Sequence, residues 1–295
     1  MRAAVIRDGA LVVEERPDPV AAEGEMLIRV RAAGINGADL AQRAGRYPAP
    51  PGAPADIPGL ECAGEVVETG ERVMALLGGG GQAELAVVDA RHTLPVPDGV
   101  DWPAAGGFVE AFATAHDALF TQAGLQPGER LLVNGAAGGV GTAAVQLGVA
   151  VGADVTGSTR SNADRVRALG ASTEVEGEYD VILELVGGEL LADDLRRLAP
   201  LGRLAVIGTS AGRTVEIDFG QLMGKRGRIH GSHLRGRTAD EKAEVMARLR
   251  REVVPLLAEG RVRVPVHATY PLEHAQEAYE TFTVPGKFGK LVLVP

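Results

Sequence analysis

A chain of 295 residues, 45% hydrophobic and 23% charged, is long enough for two globular domains of ordinary size. Its formal net charge of −9 argues against a nucleic-acid partner held electrostatically and against a polybasic membrane patch. A single cysteine, Cys62, excludes an intrachain disulfide and any zinc site built on several thiolates. The opening residues read as a strand rather than a signal peptide, and no apolar run is long enough to span a bilayer, so a cytoplasmic protein without membrane contact is expected.

Residues 1–106 are β-rich. Runs at 3–6, 11–14 and 26–33 lean towards strand, and the third passes into the period-2 alternation of a half-buried strand. Residues 36–45 suit a short helix capped by Asn36. Pro48, Pro50, Pro51, Pro54 and Pro58 then forbid regular structure and leave a rigid loop around Tyr47. Strands are expected at 61–68, 72–77 and 82–88, with the glycines at 78–81 forming a turn between the last two.

From about residue 107 the period changes. Residues 109–123 have helical spacing and stop at Gly124. Runs at 131–134, 154–158, 180–185, 203–208 and 228–232 alternate with helical segments, the pattern of a doubly wound parallel sheet. A long amphipathic helix is expected over 238–259, kinked by Pro255. After Gly260 the chain reads strand, helix (272–283) and strand (291–294). This tail is too short for a domain of its own. The expected division is therefore 1–106 completed by 266–295, and 107–265.

Residues 131–141 (Leu-Leu-Val-Asn-Gly-Ala-Ala-Gly-Gly-Val-Gly) run from an apolar strand through small residues into a helix. Glycine tolerates positive φ and lets a ligand approach the backbone. The free N–H groups of a helix start attract anions. Ala137, Gly138, Gly139, Val140 and Gly141 are therefore candidates to cradle a dinucleotide pyrophosphate. At the end of the next strand an NAD enzyme places Asp or Glu, whereas this chain has Ser158, Thr159 and Arg160. Arg160 suits a 2′-phosphate, so NADPH is the expected cofactor. Val186, Ile207, Gly208, Thr209 and Leu234 fall at or just past strand carboxyl ends, where dinucleotides cross such sheets.

Residues 35–47, Gly59-Leu60-Glu61-Cys62-Ala63-Gly64, 73–77, 134–141 and Leu183-Glu184-Leu185-Val186-Gly187-Gly188 together carry a family likeness. They resemble the zinc-free quinone oxidoreductases of the medium-chain dehydrogenase/reductase superfamily. The prolines after Tyr47, Lys225-Arg226-Gly227 and Leu234-Arg235 look most similar to the branch typified by the tumour-suppressor-induced quinone oxidoreductase. This resemblance implies an α/β protein, with a Rossmann doubly wound parallel sheet and a β-rich GroES-like catalytic domain. It also implies a homodimer that reduces a small-molecule acceptor, a quinone or other enone, with NADPH and without metal. Reduction of enoyl or alkenal double bonds is the alternative activity, and a non-catalytic dinucleotide-binding protein the alternative of another class.

By the same resemblance, Asn36, Asp39 and Tyr47 line the nicotinamide and substrate cleft. The Tyr47 phenol is the candidate hydrogen-bond donor to the acceptor carbonyl, while Asp39 suits loop anchoring better. Thr114 and Phe288 match family positions near the nicotinamide. Where zinc relatives carry ligands this chain has Ile35-Asn36 and Gly59-Leu60-Glu61, so no metal site is expected. The connections 66–72 and 172–179 are shorter than the family pattern, and the second omits a possible 2′-phosphate contact.

Overall fold

Two sheets organise the computed structural model, which describes residues 1–295. At the amino terminus β1 (Arg2–Arg7) and β2 (Ala10–Glu15) form an antiparallel hairpin. β3 (Glu25–Ile35) follows, then α1 (Gly37–Arg43) with Asn36 as its N-cap. β4 (Glu61–Val66), β5 (Arg72–Leu76), β6 (Leu85–Asp89) and β7 (Thr93–Pro95) build an antiparallel sheet on β3. Alternation along these strands sends Ile28, Val30, Val66, Val73 and Val88 into one apolar cluster. α2 (Trp102–Gly106) and α3 (Val109–His116) come next, and a π-helical turn over Asp117–Gln122 replaces the last turns of the single helix expected at 109–123.

A parallel βα repeat then begins. Its elements are β8 (Arg130–Asn134), α4 (Gly139–Val151), β9 (Asp154–Ser158), α5 (Ala163–Arg167), β10 (Tyr179–Glu184), α6 (Leu190–Arg197), β11 (Leu198–Val206), α7 (Phe219–Lys225) and β12 (Arg228–Gly231). The strand order is β12-β11-β10-β8-β9, all parallel. Beside β9, Ser172 makes an isolated bridge: its N–H donates to Val155 O at 2.8 Å and its carbonyl accepts from Gly157 N at 2.8 Å.

The expected helix over 238–259 divides into α8 (Ala239–Glu252) and α9 (Val254–Ala258). Pro255 lacks an N–H and sits in the first turn of α9, so it starts a new helix instead of kinking the old one. β13 (Val266–Pro271), α10 (Ala275–Thr283) and β14 (Lys290–Val294) complete the chain. β14 lies antiparallel to β3, with Leu291 opposite Ile35, so the tail extends the first sheet.

By contacts the chain separates into Met1–Ala113 with Leu234–Pro295 as the first unit and Thr114–His233 as the second. Residues 107–113 and 234–265, expected with the parallel sheet, thus fall in the first unit. The reason for α8 is specific. Arg91 pairs with Asp240 at 2.6 Å, His92 Nε2 donates to Ala239 O at 2.8 Å, and Arg250 donates to Thr93 O at 2.7 Å.

Candidate functional site

In the second unit the strand-to-helix turn is tightly built. Leu131, Leu132 and Val133 of β8 are buried, and the residue after the strand, Gly135, has φ +77°. Gly135 and Ala136 N–H donate to Ser158 O at 3.1 and 3.0 Å, tying the turn to the end of β9. A Cβ on Gly141 would lie 2.2 Å from Gly135 O, so the first turn of α4 rests directly on this backbone. The leading N–H groups of α4, from Gly139 to Gly141, have no intrahelical acceptor. In the strand order, β8 lies between β9 and β10, and the direction of winding reverses between β8 and β10. That is where a doubly wound sheet opens a crevice for a ligand.

Apart from Thr114, the other residues of this unit singled out from the sequence lie at the carboxyl ends of the parallel strands. Ser158, Thr159 and Arg160 follow β9; Thr159 Oγ1 donates to Ser161 O, and Arg160 is exposed and forms no ion pair. Val186 follows β10, and Ile207, Gly208 and Thr209 follow β11. These loops are laced together: Ile207 and Gly208 N–H donate to Glu184 O at 2.9 and 3.1 Å, and Ala211 N–H to Val186 O at 2.8 Å. Thr114 is partly buried on α3. The tight turn and the free N–H groups that open α4 fit the pyrophosphate of a dinucleotide.

Beneath these loops lies a polar cluster that inspection of the sequence did not identify. Asn134 Nδ2 donates to Glu184 Oε2 and to Asp194 Oδ1, each at 2.7 Å. Glu184 Oε1 accepts the N–H of Val186 and, at 2.7 Å, that of Gly187. Both carboxyls are buried. Burial, then the hydrogen bond and charge of Glu184, push the Asp194 carboxyl up to about 8.

The first unit has a cluster of its own. Lys290 Nζ, at the start of β14, donates to Glu61 Oε1 at 2.6 Å, Asn36 Oδ1 at 2.6 Å and Ile35 O at 3.1 Å. Asn36 Nδ2 donates to Glu61 Oε1 at 3.0 Å, so both ends of that amide are engaged. Glu61 Oε2 accepts Glu110 N–H at 2.9 Å and holds the start of α3. Asp39 is fully buried, its two oxygens accepting Asn36 N–H at 2.7 Å and Gly59 N–H at 2.9 Å. Burial outweighs these bonds and raises its carboxyl to about 6. Asp39 thus clamps the loop that carries Tyr47, with no surface left for a ligand.

Arg235 fixes Tyr47. Its guanidinium lies 5.1 Å from the ring centroid and donates to Tyr47 O at 3.1 Å, Gly78 O at 2.8 Å and Gln42 Oε1 at 2.6 Å. Burial and the charge of Glu110 raise the Tyr47 phenol, so it keeps its proton. Glu110 itself is raised to about 8 by burial and by Glu61. Leu234 and Phe288 are buried side chains of this unit. Cys62 is also buried and its thiol is pushed to about 12, which leaves it unreactive.

Glu61, Glu110, Arg235, Lys290, Glu184 and Asp194 are the residues the sequence did not single out for the site. For Glu61 and Glu184 the signal missed was a charged side chain in an otherwise apolar stretch. No group of three or more His, Cys, Asp or Glu side chains comes together as a metal site would require. No helix is long and apolar enough to cross a membrane.

Fold and site define a two-unit oxidoreductase with a dinucleotide-binding sheet. Residues 22–98 match the alcohol dehydrogenase GroES-like domain and residues 151–293 the zinc-binding dehydrogenase domain. The quinone oxidoreductase of Rattus norvegicus is 30% identical over 94% of this chain and 91% of its own length. A solved quinone oxidoreductase from Thermus thermophilus, determined also in complex with NADPH, superposes with a TM-score of 0.87 at 32% identity over all of both chains. The polyketide synthase GfsB of Streptomyces halstedii is 35% identical over 92% of this chain, which spans only 5% of that protein. The chain belongs to the medium-chain dehydrogenase/reductase superfamily, with quinone oxidoreductases among its relatives.

Proposed function

We propose that this protein is an NADPH-dependent reductase of quinones or similar conjugated carbonyls, acting without a metal. The observation that carries the reading is the glycine turn into α4 paired with a β9 end that has Arg160 and no carboxylate. The N–H groups at the start of α4 hold the pyrophosphate, and Arg160 holds the 2′-phosphate. Val186, Ile207, Gly208 and Thr209 shape the loops beside the cofactor, and Thr114, Leu234 and Phe288 serve the nicotinamide end. NADPH, when bound, supplies the hydride; the protein orients the reactants and stabilises developing charge.

On the acceptor side, Tyr47 donates a hydrogen bond to the carbonyl oxygen that gains charge. Its ring is held by Arg235, and its phenol remains protonated. Asn36, locked by Lys290 and Glu61, and Asp39, which clamps its loop, act as positioning groups. Tyr47→Phe is expected to lower kcat by about a hundredfold. Unchanged kcat and KM would remove Tyr47 from the mechanism.

Titration with NADPH and NADH, repeated on Arg160→Ala, tests the cofactor assignment. Loss of one charge-assisted contact, about 1.5–3 kcal/mol, weakens NADPH binding roughly tenfold to a hundredfold and leaves NADH untouched. Equal affinity for the two forms in the parent protein refutes it. Likeness to a polyketide synthase segment supports a second reading, reduction of an enoyl double bond. Turnover on quinones set against alkenals and enoyl thioesters separates the two. NADPH binding without oxidation by any acceptor points instead to a non-catalytic dinucleotide-binding protein. A homodimer is also proposed, formed through the open edge at β12, where Ile229 is 37% exposed and Phe219 and Met223 of neighbouring α7 are 67% and 75% exposed. Sedimentation as a monomer at micromolar concentration refutes it.

A further inference from the structure

Asp194 and Glu184 share one donor. Asn134 Nδ2 lies 2.7 Å from an oxygen of each, so the two carboxyl groups are no further apart than those two bonds laid end to end. Neither is exposed to more than 2% of its surface, and neither has a cationic hydrogen-bond partner. Two buried carboxylates this close cannot both carry charge, so one of them keeps a proton. The bonding pattern says which. Glu184 accepts three N–H groups, from Asn134, Val186 and Gly187, as an ionised carboxylate does. Asp194 accepts one, and its other oxygen, Oδ2, is buried with no partner as an acceptor. A proton on Oδ2 turns that orphan atom into a donor, and Glu184 is the acceptor beside it.

The position matters as much as the chemistry. Asn134 ends β8 and Glu184 ends β10, the two strands between which the winding reverses. Glu184 also pins the backbone of Val186 and Gly187, the loop that leaves β10. We propose that Asp194 is a positioning residue that holds a proton at neutral pH and, through Glu184, fixes the Val186–Gly187 loop for NADPH, so that alkaline loss of that proton weakens cofactor binding. This rests on the dinucleotide reading given above. The raised proton affinity of Asp194 agrees with the geometry.

Other charges near α6 leave this proton in place. α6 packs against β10, β11 and α7. On β10, Asp180 accepts Arg130 N–H at 2.9 Å, and the Tyr179 hydroxyl accepts Glu176 N–H at 3.1 Å. On β11, Arg203 pairs with Glu129 at 2.7 Å, and on α7 Lys225 pairs with Glu178. On α6 itself Arg196 pairs with Asp193, while Arg197 favours the ionised Asp194 less strongly than Glu184 opposes it. Once ionised, Asp194 repels Glu184, and the bonds from Val186 and Gly187 are strained.

The test is a titration of the full chain with NADPH between pH 6.5 and 9.5, on the parent and on Asp194→Asn, whose amide keeps a donor at that position at every pH. In the parent, Kd rises about tenfold from pH 7 to pH 9.5, whereas in the variant it does not change over that range. An infrared difference spectrum, parent minus variant at pH 7, contains the C=O stretch of a protonated carboxyl group. A parent Kd that ignores pH, a variant that tracks the parent, or absence of that carboxyl band overturns the inference and leaves the dinucleotide reading standing. Failure to bind NADPH at any pH overturns both.

Discussion

Each unit buries an asparagine against a carboxylate, and the two arrangements balance charge by different means. In the first unit Asn36 lies between Glu61 and Lys290, so a cation on β14 answers the anion that opens β4. In the second, Asn134 lies between Glu184 and Asp194, and a proton takes the place of the cation. The lysine joins segments far apart in the chain. A shared proton is compact, but it exists only below the pH at which it dissociates. The first device suits a rigid frame, and the second ties the geometry of a loop to solution conditions.

The largest expected effect comes from breaking the first arrangement. Lys290→Met leaves Glu61 buried without its cation and should lower unfolding stability by about 3–5 kcal/mol, read by urea denaturation. The double variant Glu61→Gln with Lys290→Met removes the stranded charge and should recover most of that loss. If the double variant is as unstable as Lys290→Met alone, packing of the lysine stem, and not charge balance, holds β14 to β4.

These two clusters also mark how far the sequence could be read. The strand at 154–158 and the turn at 134–141 were legible because apolar runs and glycine chemistry are local signals. Glu61 and Lys290 lie 229 positions apart, and Asn134 and Asp194 lie 60 apart. No periodicity links such partners; only the register of β14 on β3, or the packing of α6 on β10, brings them together. The helix near Pro255 shows the same limit differently, since the proline was recognised but whether it kinks or restarts a helix depends on what the next turn packs against. An amphipathic helix such as α8 also reads alike whichever sheet it covers, so the boundary at 265 did not match the unit to which residues 234–265 belong. Asp39 was legible by type and place, but its two backbone bonds, which make it a clamp, were not.

Glu110 offers the subtlest test, because it departs from the rule within the first unit. The nearby cation is already engaged: Lys290 donates to Glu61, and the Glu110 carboxyl is raised to about 8 by burial and by that same Glu61. It therefore behaves more like Asp194 than like its neighbour. Its proton affinity is higher folded than unfolded, so folding takes up a proton between the ordinary glutamate range and pH 8. Stability contributed by this group accordingly falls as pH rises through that window and levels off above it. Glu110→Gln cannot lose the proton, and its stability relative to the parent should increase steadily from pH 5.5 to 8.5. Urea midpoints of the two proteins, compared at each pH, isolate this group from every other titration. A constant difference would mean that Glu110 is ionised in the fold, and that the cation on β14 serves two carboxylates instead of one.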